Sequence, residues 1–218
     1  INRYPGVRTD SEYSYYSFSF SKQVREEWVW KQRYPSGEEV LAYLEFVADR
    51  LDLRGDIELS TFVERAVYNE TENLWTVAYR DGRTVTTRFL VSGMGVLSQP
   101  VFPAIPGIET FAGEKYHAAR WPREGVSFEG KRVGIIGLGA SGIQIVPVVA
   151  PQAKEFFVFQ RTPNFSLPAQ NRPLDDDFLK AYKNRYPQAR GQAQETPFAI
   201  GGHPAPTKSA LEDSPQER

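Results

Sequence analysis

Between residues 131 and 161, this 218-residue chain reads KRVGIIGLGASGIQIVPVVAPQAKEFFVFQR. A β-type run at 131–136 predicts a strand, and Gly137-Leu138-Gly139-Ala140-Ser141-Gly142 follows it directly. A helix-like segment comes next, then a second apolar run at 156–159 that ends at Arg161. This is G-x-G-x-x-G in a strand–turn–helix–strand setting, which is the setting a dinucleotide site requires. Gly137 is expected to allow the tight turn, Gly139 to let a diphosphate approach the backbone, and Gly142 to let the helix pack close to the sheet. The first-turn N–H groups and the helix dipole then favour bound negative charge. Arg161 follows Gly142 by 19 residues, where an acid would accept from the ribose hydroxyl of NAD. An arginine cannot accept, but it can pair with a 2′-phosphate, so the spacing predicts NADP. A glycine-rich turn in an unrelated α/β protein would explain the glycines alone, but not the two strands, the helix and Arg161 together.

Several elements surround this unit. Ser36-Gly37-Glu38-Glu39 opens a helix whose Val40, Leu41, Leu44, Val47, Ala48 and Leu51 repeat at helical spacing. Residues 56–91 read as a β-meander with strands at 57–62, 64–68, 75–80 and 84–91, and turns at 69–73 and 81–82. The alternation at 16–20 also suggests a strand. Pro100, Pro103, Pro106 and Gly107 make 98–107 a stiff connector. Pro147 is expected to kink the helix after the glycine turn. A helix is predicted over 174–186, with Asp175, Asp176 and Asp177 in its first turn rather than in a metal site. A Pro/Gly-rich loop at 196–206 follows, then a helix start at Ser214-Pro215-Gln216-Glu217.

The composition is that of an ordinary globular protein, 40% hydrophobic and 24% charged. A net charge of −1 offers no basic footprint for nucleic acid or an anionic membrane. There is no cysteine, which suits a cytoplasmic setting, and no His/Cys cluster that would hold zinc.

Phe111-Ala112-Gly113-Glu114-Lys115-Tyr116-His117-Ala118-Ala119-Arg120-Trp121 resembles the F-x-G-x-x-x-H-x-x-x-W motif of type I Baeyer–Villiger monooxygenases. The resemblance extends through Asn2–Gly6, Thr9-Asp10, Tyr43–Ala48, Phe89–Val91 and Phe159–Pro163. It implies an α/β flavoprotein fold with two Rossmann-like dinucleotide-binding domains, here a partial chain with a β-meander and the start of a helical insert. Residues 1–105 would belong to the FAD domain, 106–171 to the first half of the NADP domain and 172–218 to the insert. The implied reaction uses FAD, NADPH and O2 to turn a ketone into an ester or lactone through a C4a-peroxyflavin.

The same resemblance assigns roles. Gly137, Gly139, Ser141 and Gly142 would hold the NADP diphosphate, and Arg161 with Thr162 the 2′-phosphate. Asp10 would be the acid beside the flavin that aims a peroxide-stabilising arginine, with Arg8 and Thr9 near the nicotinamide half of NADP. Tyr16 and Val63 would contact FAD, and Phe111, Gly113, His117 and Trp121 would couple domain motion to cofactor binding. The terminal Trp121 favours this class over sibling flavin monooxygenases that oxidise amines or sulfides. Ala118, Leu138 and Met94 depart from the family pattern and leave open a non-catalytic nucleotide-binding module. The glycine motif for FAD is expected to precede Ile1 and the arginine to follow Arg218, so the 218-residue piece alone is expected neither to hold FAD nor to turn over. Half of each nucleotide-binding sheet is also expected to be missing, so exposed apolar edges and poor stability are expected.

Overall fold

The computed structural model describes residues 2–95, 97–196, 212 and 214. Its elements run α1 (Tyr13–Tyr16), α2 (Lys22–Glu27), α3 (Gly37–Arg50), β1 (Val63–Asn69), β2 (Leu74–Tyr79), β3 (Thr84–Thr87), β4 (Arg132–Ile136), α4 (Ala140–Val149), β5 (Glu155–Phe159) and α5 (Asp176–Gln194). Two compact units form: one takes Ile1–Arg3 and Leu44–Gly125, the other Tyr4–Tyr43 and Val126–Arg218.

The first unit is built on an antiparallel β1-β2-β3 meander. Its turns follow from local chemistry. Asn69 Oδ1 accepts from the Thr71 and Glu72 amides at 2.9 and 3.1 Å, and Asn73 closes that turn in the left-handed region. Asp81 Oδ1 accepts from the Arg83 amide at 3.0 Å beside Gly82. Two strand expectations fail here. Residues 57–62 form no strand, because Ser60 takes a φ of +57°, which breaks the extended run. The last strand stops at Thr87 instead of reaching 91.

The second unit pairs β4 with β5 in parallel, Ile136 opposite Phe159, with α4 as the crossover. The α4 helix runs through Pro147, which sits inside it. The expected strand at 16–20 is absent. Instead α1 ends at Tyr16, and the Phe18 amide donates to the Tyr43 hydroxyl at 2.8 Å. Aromatic packing decided this segment: Phe18, Trp28 and Trp30 all gather on Tyr43, which is 1% exposed. The helix predicted from 174 is α5, capped by Asp175 Oδ1 on the Phe178 amide at 2.7 Å, with Asp176 and Asp177 in its first turn. Most of the loop at 196–206 and of the helix start at 214–217 lies outside the described residues.

Backbone contacts tie the start of this unit to its end. The Leu174 amide donates to the Lys31 carbonyl at 2.9 Å, and the Arg33 amide to the Arg172 carbonyl at 3.0 Å. Asn171 reaches the same stretch, accepting from the Tyr34 amide and donating to Gln32.

Large apolar side chains are exposed in both units, including Phe165 at 99% and Val91 at 91%. No helix among the described residues is long and apolar enough to cross a membrane.

Candidate functional site

At the end of β4 the chain turns through Gly137, whose φ of +90° lies in the region that favours glycine. The Gly137 amide donates to the Phe159 carbonyl at 2.9 Å, so the turn is held against the end of β5. The other two glycines have different duties. A Cβ on Gly142 would lie 2.3 Å from the Gly137 carbonyl oxygen, so helix and turn meet at a distance only glycine allows. A Cβ on Gly139 would meet nothing within 4 Å, so the backbone faces open space. Gly139 is also the N-cap of α4, and no side chain caps the helix. Its first-turn N–H groups, which helix geometry leaves unpaired, stand beside that space together with half-buried Ser141. This arrangement fits a dinucleotide diphosphate.

Arg161 lies two residues beyond Phe159, at the same end of the parallel pair. It is exposed and makes no ion pair among the described residues. Asn164 Nδ2 donates to the Leu138 carbonyl at 3.0 Å, which fastens the loop carrying Arg161 and Thr162 to the glycine turn. The loop that carries the exposed Arg161 is therefore fastened beside an open, amide-lined turn, and a guanidinium is the group that pairs with a phosphorylated ribose.

A second group of expected residues sits on α4. Gln144 Oε1 accepts from the Tyr4 hydroxyl at 3.1 Å and from the Arg8 amide at 3.0 Å. Gly6, with a φ of +78°, passes so close that a Cβ would lie 2.4 Å from the Gln144 carbonyl oxygen. The segment bearing Arg8, Thr9 and Asp10 is thus clamped two residues beyond Gly142. Sequence reasoning missed Gln144. Its place on the helix after the glycine motif was visible, but a lone glutamine carries no signal of its partners.

The Arg8 guanidinium is turned inward, bonded to Gln32 Oε1 at 3.2 Å and the Tyr34 carbonyl at 3.1 Å. Thr9 is buried and donates to the Ser11 carbonyl at 2.8 Å. Asp10 is exposed, and its carboxylate bonds the Tyr16 hydroxyl. Burial first, and the Asp10 charge and hydrogen bond next, push the Tyr16 phenol up from its ordinary value. Asp10 and Tyr16 therefore work as a pair.

Val63 and the Phe111–Trp121 motif fall in the other compact unit. Val63 opens β1 and is half exposed. The Phe111 ring lies over Gly113, where a Cβ would sit 2.5 Å from a ring carbon. His117 caps a short turn at Ala118–Arg120, its Nδ1 accepting from the Ala119 amide at 3.2 Å. With Nδ1 an acceptor, the ring proton lies on Nε2, which donates to the Val101 carbonyl at 3.3 Å. The ring also packs on Phe102 with centroids 4.7 Å apart. His117 therefore ties the motif to the proline-rich connector. Trp121, 8% exposed, packs near Tyr116.

The flavin-binding monooxygenase-like family profile matches residues 21–175, well over half of the chain. The chain belongs to the flavin-binding monooxygenase-like family. It is 42% identical over 219 residues to the acetone monooxygenase (methyl acetate-forming) of Gordonia sp. strain TY-5, covering 100% of this chain and 40% of that protein. It is 39% identical over 217 residues to the phenazine N-monooxygenase of Lysobacter antibioticus, again covering 100% of this chain and 40% of the other. An oxidised steroid monooxygenase bound to NADP matches with a TM-score of 0.87 at 49% identity, over 100% of this chain and 41% of its own. OTEMO in complex with FAD and NADP also matches at a TM-score of 0.87 and 40% identity, over 99% of this chain and 42% of its own. This family member thus spans about two fifths of the length of these relatives. The resemblance to Baeyer–Villiger monooxygenases and their two-cofactor α/β fold is borne out at the level of family and fold.

Proposed function

We propose that this chain provides the NADPH site and part of the flavin site of a monooxygenase that oxidises a ketone to an ester or lactone with NADPH and O2. The observation that carries the proposal is the open turn at Gly139 beside the loop that presents Arg161. The first-turn amides of α4 and Ser141 bind the diphosphate, while Arg161 and Thr162 bind the 2′-phosphate. Gln144 orients the Arg8–Asp10 segment relative to that helix. For the flavin, the chain offers Asp10, Tyr16 and Val63, but its one G-x-G-x-x-G is already committed to NADPH. When bound, the flavin supplies electron transfer from NADPH and the activation of oxygen. Asp10, bonded to the Tyr16 hydroxyl, is the carboxyl group the chain offers at the edge of that site. His117 keeps the connector fastened through Val101. Assigned by cofactor, residues 1–105 serve FAD, 106–171 serve NADP and 172–218 begin the insert, a division by ligand rather than by contacts. With this reading we place the protein in the cytoplasm, which its cysteine-free composition suits.

The deciding experiment uses the protein at its full natural length. Arg161→Ala is expected to raise the Kd for NADPH about 10- to 100-fold, a loss of one charge-assisted phosphate contact, and to leave NADH binding unchanged. Equal effects on both nucleotides would remove the 2′-phosphate assignment.

A second reading rests on the phenazine N-monooxygenase, which covers this chain as fully as the ketone-oxidising relative does. In that reading the oxygen goes to a nitrogen or sulfur atom. Incubation with a cyclic ketone and a thioether separates the two: lactone supports the first reading, sulfoxide without lactone the second.

A further inference from the structure

A cavity of about 580 Å3 opens in the second unit between α2, the Trp28–Trp30 stretch and α5. Small-molecule sites commonly measure ~300–1,000 Å3. Its walls are strongly aromatic, with Tyr13, Trp30 and Tyr43 facing Tyr182 and Tyr186 of α5. The rings form a continuous run: Tyr13 to Tyr182 at 5.4 Å, Tyr182 to Tyr186 at 6.0 Å, and the Arg25 guanidinium 4.6 Å from the Tyr186 centroid.

Polar atoms in that wall are unbalanced. The Tyr13 hydroxyl, the Tyr186 hydroxyl and Arg25 Nε are sealed from solvent without a hydrogen-bond partner. Tyr13 is 3% and Tyr186 7% exposed. A buried group left unpaired is costly, more so when it is charged, so three in one wall call for an acceptor. Arginine can only donate, and a protonated phenol donates readily. Burial, and then Tyr182, push the Tyr13 phenol up, so it stays protonated. Nearby cations are partly engaged: the Lys183 ammonium donates to the Glu26 carbonyl at 2.7 Å, and Lys22 pairs with the Glu26 carboxylate at 3.7 Å. Arg25 keeps an unused Nε.

We propose that this cavity binds a planar aromatic carboxylate. The tyrosine and tryptophan faces stack on the ring, and the carboxylate accepts from Arg25, Tyr13 and Tyr186. Arg25, half-buried over Tyr186, swings off the ring to meet the carboxylate and uncovers the phenol beneath. A neutral hydrocarbon would fill the space but leave three donors unpaired. A cation could pair with Glu26 or Asp176 in the lining, but it would leave the same three donors unpaired.

The test titrates the full-length protein with 2-naphthoate and follows quenching of tryptophan fluorescence, since Trp28 and Trp30 line the cavity. Saturable quenching with a Kd of ~1 mM or below is expected. The neutral 2-naphthalenemethanol should bind about tenfold more weakly. Arg25→Met should weaken naphthoate about tenfold, and Tyr13→Phe or Tyr186→Phe a few-fold each, because these remove a donor and keep the ring. Quenching that never saturates, equal affinity for acid and alcohol, or unchanged naphthoate binding in folded Arg25→Met protein overturns the proposal. Should Arg25→Met fail to fold, unchanged affinity in both Tyr→Phe variants overturns it equally. None of these outcomes depends on the monooxygenase reading.

Discussion

The glycine turn after β4 and the Phe111–Trp121 motif are both read from short patterns, but they treat their polar groups in opposite ways. At the turn, hydrogen-bonding capacity is left unused: α4 has no side-chain cap, Gly139 faces open space, and Arg161 is exposed. In the motif the capacity is consumed. Both His117 nitrogens are bonded within the chain, its ring is packed on Phe102, and Trp121 is buried. Unused donors next to open space mark a place where a ligand completes the structure. Donors already satisfied mark a place where the chain is fastened to itself. Pattern recognition alone does not separate these roles; the state of the partner atoms does.

The largest expected effect comes from Gly142→Ala. Its Cβ would collide with a backbone oxygen that cannot move without disturbing the turn, so a stability loss of ~3 kcal/mol is expected. Gly139→Ala provides the contrast. Its Cβ meets nothing, so chemical denaturation should show a change under ~0.5 kcal/mol. NADPH affinity should nonetheless fall about tenfold, because the methyl occupies the space left for the diphosphate. If Gly139→Ala proved as destabilising as Gly142→Ala, the turn would be packing and not a cradle.

In the fastened region, His117→Ala should cost ~1–2 kcal/mol, from the lost cap and the lost bond to Val101. His117→Asn can restore the cap through its carbonyl oxygen, but not the bond to Val101, so it should recover part of that loss. Thermal unfolding distinguishes these. Full stability in His117→Ala would mean that the clasp is not fastened.

The smallest effect belongs to the Asp10–Tyr16 pair. Because the folded Tyr16 phenol lies above its ordinary 10.0, folding holds its proton more tightly than the unfolded chain does. That stabilisation is complete below pH 10.0 and is lost as the pH rises through the folded value. Tyr16→Phe should therefore flatten the alkaline limb of the stability curve, by about 0.5 kcal/mol at most for a phenol this exposed. An unchanged alkaline limb would show that neither burial nor Asp10 raises the Tyr16 phenol in solution.

Much of the candidate site was legible because its requirements are local. The turn needs φ above zero at one residue and no Cβ at another, and β4, α4 and β5 are contiguous in the chain. The hairpin turns at Asn69–Asn73 and Asp81–Gly82 were legible for the same reason. The strands read at 57–62 and 16–20 were not, since alternation is a weak signal against a left-handed Ser60 or a cluster of rings around Tyr43.

By itself, then, the amino-acid order determined the nucleotide motif, the choice of a basic residue at 161 and the family, all of which depend on neighbours within a few dozen residues. Only the tertiary structure decided that Gln144 clamps the Arg8–Asp10 segment, that His117 carries its proton on Nε2, and that three unpartnered donors lie within the wall of an aromatic cavity. These depend on atoms brought together from distant parts of the chain, Tyr4 and Gln144 being 140 positions apart. A hydrogen bond is made or missed over less than an ångström, and spacing along a chain carries no information at that scale.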